Sequence, residues 1–263
     1  MSVKKIFALI LLFSFGINAC FAQFSTKIKE ILDRKNFSEF ENFYKNELLN
    51  ESSPRIYTFM LRDITHHTQE GIFVFEKYET DPKNPSIASV TTYRVRLLTY
   101  QQNIIFYELS KKLNKRIGGN WEPYYDIIAH YKNYTAYREF QHDFKNIFQT
   151  NLNEKELFEL RYIYGEKCSI VGIDPIEKTK MKAWVKKGNK TKIRNWLTAT
   201  NTEKQLYAFE GLLQLKKAGI SLTKQEEKMM NFVANKNGMV QTCAGCSYTT
   251  EGIQEVIHRI QSE

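Results

Sequence analysis

Thiols are the side chains best placed to do chemistry in this chain. Cys243-Ala244-Gly245-Cys246 sets two of them at the spacing of a redox pair, and Cys168 and Cys20 complete the set of four. A CxxC at a helix start lowers the pKa of one thiol and makes it the attacking group. In an oxidising compartment the same two residues close on each other as a structural disulfide, or one member bonds Cys168 and staples an internal loop to the C-terminal helices. No βαβ unit precedes the motif, and no aromatic or proline residue flanks it. A structural bridge of Cys243 and Cys246, with Cys168 as the alternative partner, is therefore the expectation, and thiol–disulfide oxidoreduction the alternative.

Two further spacings have chemical meaning. Glu139-x-x-His142 and Glu255-x-x-His258 each place a carboxylate and an imidazole one helical turn apart, as carboxylate-bridged di-metal bundles do twice. The everyday meaning of that spacing is a solvated charge pair, so no metal is expected and these four residues stand as the alternative. Cys168, Cys243, Cys246 and His258 offer the donor set of a Cys3His zinc site, but their spacing matches no standard finger. Ser221-x-x-Lys224 has the spacing of a penicillin-binding-type nucleophile without the companion motifs. His66-His67 reads as a polar hairpin turn. With no phosphate loop, dinucleotide fingerprint or serine elbow, no catalytic residue or cofactor is assigned and the chain is not expected to be an enzyme.

Location comes from the first residues. Lys4 and Lys5 precede the apolar run 6–17, and Ala22 supplies the small residue before a cleavable bond, which reads as a secretory signal over residues 1–22. The run is too short to span a bilayer, so no transmembrane segment is expected after signal removal. Ile17-Asn18-Ala19-Cys20 is the competing reading, a lipoprotein box anchored through Cys20. The whole chain carries 38 basic and 29 acidic residues, and the signal removes two lysines and no acid. This mild, interleaved excess lacks the basic stripe that nucleic-acid binding needs. An exported, periplasmic or secreted protein meeting an envelope protein is the expectation.

The elements that must hold these residues are α+β in pattern. Residues 27–33 and 39–49 show helical periodicity, with Ser38 and Glu41 at capping-box spacing. Gly71–Glu79, Ser89–Tyr100 and Asn103–Leu113 are rich in strand formers and separated by turn residues, which predicts an antiparallel meander. Arg55–Ile64 leans to strand. Residues 122–149 carry apolar side chains at three- and four-residue spacing and read as one long helix covering the sheet. Asn153 with Glu156 predicts another helix, and a boundary near residue 165 divides an α+β domain (23–165) from a helical domain (166–263).

Within the second part, Asn201 or Thr202 caps a helix carrying Leu206, Phe209 and Leu213, and Gly219 ends it. Thr223 and Glu226 open the next, and Ile253, Val256, Ile257 and Ile260 form a last amphipathic helix. Residues 193–215, with Ile193, Trp196 and Leu197 before a turn at Asn201 and Leu206, Ala208, Leu212 and Leu215 after it, resemble one HEAT-type helical repeat. The turn proline and the arginine usual in that family are missing. The resemblance implies a C-terminal all-helical part, HEAT-like or a bundle, that offers a helical surface to another protein.

Overall fold

The computed structural model describes residues 24–48, 55–81 and 84–263; the expected signal segment and Cys20 lie outside them. Helix α1 (residues 24–33) and α2 (Phe37–Leu48) lead into five strands: β1 (Arg55–Asp63), β2 (Thr68–Asp81), β3 (Asn84–Tyr100), β4 (Asn103–Ile117) and β5 (Asn120–Lys132). They pair in sequence order, antiparallel throughout. α3 (Tyr134–Phe148) follows, then a short strand β6 (Tyr164–Cys168) and the helices α4 (Ile176–Lys186), α5 (Lys190–Leu197), α6 (Thr202–Lys217) and α7 (Lys224–Ala234). β7 (Met239–Gly245), β8 (Ser247–Gly252) and α8 (Ile253–Ser262) close the chain.

Period-two alternation sends Phe73, Phe75, Tyr93, Val95, Leu97, Tyr107 and Leu109 to one face of the meander, where Ile28 and Leu32 of α1 and Phe40 of α2 bury them. Phe40 meets Phe73 edge-on with ring centroids 5.0 Å apart. Asn36 caps α2, accepting from the Glu39 amide at 3.1 Å, two residues earlier than the Ser38 box predicted. A second core forms around α6, which is buried nearly all round, and gathers Phe140 and Phe144 of α3 with Met181, Ile193, Leu197, Met229, Val233, Val256 and Ile260. Each of these side chains contributes on the order of 1.5–3 kcal/mol by leaving water.

The expected C-terminal all-helical part is not what forms. The helices are interleaved with a second sheet in the order β6-β7-β8, its first pair parallel and its second antiparallel, and the five-stranded sheet occupies the middle of the chain. Residue 165, the expected boundary, lies inside β6. Val240 and Thr242 are the β-branched residues of β7, and β6 gives that strand a partner that sequence spacing does not reveal.

The long covering helix is corrected in the same way. Residues 120–132 are strand β5, and only Tyr134 onward is helical. Tyr124, Tyr125, Ile127, Ile128 and Tyr131 satisfy a period of two, with one bulge opposite Leu109/Ser110, as well as they satisfy helical spacing. Pro123 sits opposite Asn114 on the outer strand, where a missing amide proton costs no ladder bond. Asn133 then starts α3, its Oδ1 accepting from the amides of Thr135 and Ala136 at 3.2 Å each. The helix expected after Asn153 shrinks to one 3-10 turn, Glu154–Glu156.

Candidate functional site

Cys168, the last residue of β6, and Cys243, in β7, form a disulfide with Cα atoms 5.6 Å apart. The bridge therefore joins neighbouring parallel strands, and the Cys243–Cys246 closure expected from the motif does not form. Backbone pairing explains the choice. Ala244 pairs Ser247, so Gly245, at φ +55°, and Cys246 make a two-residue turn that leaves Cys246 exposed and free, while Cys243 is buried. Gly165 permits the close approach of β6: a Cβ there would lie 2.1 Å from the Cys243 carbonyl oxygen and 2.8 Å from its sulfur.

The clasp closes a loop that is tied by its own hydrogen bonds. Ile173 donates its amide to the Cys168 carbonyl at 3.0 Å, and Gly172 to Ser169 at 3.1 Å. Asp174 accepts from the Lys167 amide at 2.9 Å and from Lys182 Nζ at 2.8 Å. These bonds, with Lys182 the first of them, keep the Asp174 carboxyl below its ordinary range. Yet the loop presents apolar side chains to water: Ile170, Val171, Ile173 and Ile176 are 91%, 73%, 65% and 63% exposed. Beside them lies an open pocket of about 410 Å³ walled by Arg161, Ile163, Pro175, Tyr248 and the disulfide itself.

Buried polar contacts anchor this loop to α6. Glu210 accepts from Lys178 Nζ at 2.6 Å and from the Tyr164 hydroxyl at 2.9 Å. Burial and the Glu210 carboxylate push the Tyr164 phenol far above its usual range, so it stays a donor. The Tyr207 hydroxyl accepts from the Gly165 amide at 3.0 Å and faces the Ile163 carbonyl at 2.9 Å. β6 and α4 thus share one side chain of the central helix, Glu210.

A second buried network welds the meander to the same helix. Arg62 donates from Nε to Glu70 at 2.8 Å and from Nη1 to Glu203 at 2.7 Å, all three side chains inside the protein. Burial opposes the guanidinium charge, but Glu203 and Glu70 more than restore it. Lys236 donates to the Thr202 hydroxyl and the Gln205 carbonyl oxygen, each at 2.9 Å. With no carboxylate bonded to it, burial and then Arg62 pull its ammonium down to about 7. Glu156 leaves its own helical turn to accept from the amides of Thr200 and Asn201 and from Lys204 Nζ. No motif marked Arg62, Glu70 or Lys236, because a buried charge pair has no fixed spacing.

The other expected residues are dispersed. Glu139 and His142 lie on the exposed side of α3, where His142 meets Asn146 at 3.0 Å. Glu255 accepts from the Gly252 amide at the start of α8, and His258 is exposed one turn on. Among the described residues no three or more His, Cys, Asp or Glu side chains converge as a metal would need. The Cys3His set has two of its thiols consumed by the disulfide. Ser221 is exposed in the α6–α7 turn, with its carbonyl accepting from Lys190 Nζ, and Lys224 is exposed at the start of α7. His66 and His67 do occupy the β1–β2 turn, and His66 packs edge-on against Phe232 with centroids 4.7 Å apart.

Among the described residues no helix is long and apolar enough to cross a membrane. Comparison with known proteins gives no match: no family model, no curated protein and no solved structure is similar to this chain.

Proposed function

We propose that the protein is an exported, non-enzymatic binding protein that docks onto another envelope protein through the disulfide-clasped loop 169–176. The observation that carries this reading is the combination of exposed apolar side chains and a bonded backbone beneath them. Four large aliphatic side chains stand in water within seven residues, on a backbone already held by a disulfide, a bridge between Cys168 and Ile173 and the Asp174 bonds. Contiguous exposed apolar surface marks interaction sites. A loop ordered in advance loses little entropy on binding, so its burial is converted into affinity. The expected contact surface was helical; the surface proposed here is a loop with the first turn of α4 behind it.

The signal pattern at residues 1–22 and the bridge support export, since disulfides persist in oxidising compartments. Photo-crosslinking from Val171 in envelope extracts tests the reading. A discrete protein adduct, lost in Ile170→Asp but retained in Lys187→Asp, is the expected result. Labelling no stronger from Val171 than from Lys187 sinks it.

One observation favours a second reading, thiol–disulfide exchange. Cys246 is a free, exposed thiol in the turn next to Cys243, and the bridge lines a pocket. Its thiolate would attack Cys243 sulfur, forming a Cys243–Cys246 bond and releasing Cys168 as thiolate, with no net oxidation. Peptide mapping of the oxidised protein at pH 8 decides it: a Cys243–Cys246 peptide appearing alongside Cys168–Cys243 supports exchange, and its absence after hours excludes it.

A further inference from the structure

One face of the meander carries α1 and α2; the other is open over its outer half. Pair register sets Glu76 beside Thr92, Arg94 beside Val74 and Ser110, Ser110 beside Ile127, Lys112 beside Tyr125 and Asn114 beside Pro123. Alternation along each strand puts all of these side chains on that open face. It holds two hollows, one of about 440 Å³ bordered by Glu76, Tyr78, Thr92, Lys112, Asn114 and Pro123, the other of about 180 Å³ bordered by Arg96, Phe106, Lys132 and Phe158.

Between the hollows the charge is unbalanced. Arg96 takes both oxygens of Glu108 at 2.6 Å, and Arg94 reaches the same carboxylate only at 3.9 Å. Arg94 instead stands over the Tyr125 ring, its guanidinium carbon 3.6 Å from the ring centroid. The Nε atoms of Arg94 and Arg96 are buried without a hydrogen-bond partner among the described residues. Burial and then the neighbouring Arg96 hold the Arg94 guanidinium below its ordinary pKa, the mark of a cation short of an anion.

We infer that this sheet face binds an acidic polysaccharide, a uronic-acid chain lying along the strands with a carboxylate on Arg94. A planar carboxylate suits a guanidinium seated on Tyr125, since two parallel N–H bonds can form at once. Lys112, two residues along β4 from Ser110, the register partner of Arg94, supplies a second cation on the same face. Glu76, Thr92 and Asn114 offer acceptors and donors for sugar hydroxyls, and Tyr78 and Pro123 offer apolar surface for a ring face. An acidic peptide would gain from the same cations but has no row of hydroxyls for Glu76, Thr92 and Asn114 to bond. Two hollows on either side of the Arg94–Arg96 pair fit an extended polymer better than a single sugar.

Titration of the mature chain with oligogalacturonate, oligoalginate, methyl-esterified oligogalacturonate and polyglutamate tests this. Expected are binding of at least one uronic oligomer, about tenfold weaker binding of the ester, and about tenfold weaker uronate binding for Arg94→Gln. Lys112→Gln, at an open position that folding does not need, weakens it severalfold. The inference is overturned if neither uronic oligomer binds, if the ester or polyglutamate binds as tightly, or if both variants keep the wild-type affinity. Loop 169–176 takes no part, so Ile170→Asp leaves uronate binding unchanged, and the two proposals fail separately.

Discussion

Arg62 Nη1 and Glu203 Oε1 meet at 2.7 Å across 141 residues of chain, with both side chains shut off from water. That contact ties strand β1 of the meander to the first turn of α6, the helix that carries Glu210 and so the docking loop. Replacing Arg62 by Met leaves Glu70 and Glu203 as uncompensated buried charges and costs about 3–5 kcal/mol. Adding Glu70→Gln and Glu203→Gln recovers part of it. Urea unfolding of the single and triple variants measures both, and a single variant within about 1 kcal/mol of wild type contradicts the account.

Lys236 gives the protein a pH signature. Its folded pKa of about 7 lies below the ordinary 10.5, so between these values the unfolded chain holds a proton that the folded one has released. Stability from this group is flat below about pH 7 and rises with pH through that window. The charges that face this amine are those of Arg62, Glu70, Asp63 and Glu203. Lys236→Met therefore flattens the rise in unfolding free energy between pH 7 and pH 9. Parallel slopes in the two proteins show that the amine is charged inside.

The Cys168–Cys243 bridge closes a separation of 75 residues. Its reduction lowers stability by about 2–5 kcal/mol. Cys246→Ser leaves melting unchanged, and native protein beginning at Gln23 takes up one equivalent of alkylating agent, at Cys246. Two or more equivalents without reductant contradict the bridge.

Gly238 lies where the two sheets touch. It bridges Arg62 at φ +111°, and an added Cβ would sit 2.3 Å from the Leu61 carbonyl oxygen and 2.4 Å from Arg62 Cα. Gly238→Ala is expected to cost more than about 1 kcal/mol, because strain and collision add. A melting temperature equal to wild type means that the junction gives way freely.

Local chemistry was legible in residue order. Asn201 and Thr223 cap α6 and α7, the latter with Glu226 closing the box, and the alternation over 71–79, 89–100 and 103–113 appears as β2, β3 and β4. Each such feature is decided within a few residues of itself by hydrogen bonds and side-chain period. Residues 120–132 were not legible, because Tyr and Ile at those positions satisfy both periods and only the free edge of β4 selects strand. The partner of Cys243 was decided the same way. Cys246 is three residues off and Cys168 seventy-five, but β6 pairing on β7 brings the distant thiol alongside and turns the near one outward. The Arg62, Glu70 and Glu203 cluster likewise exists only once the meander and α6 meet, since their shared exclusion of water makes those charges depend on one another.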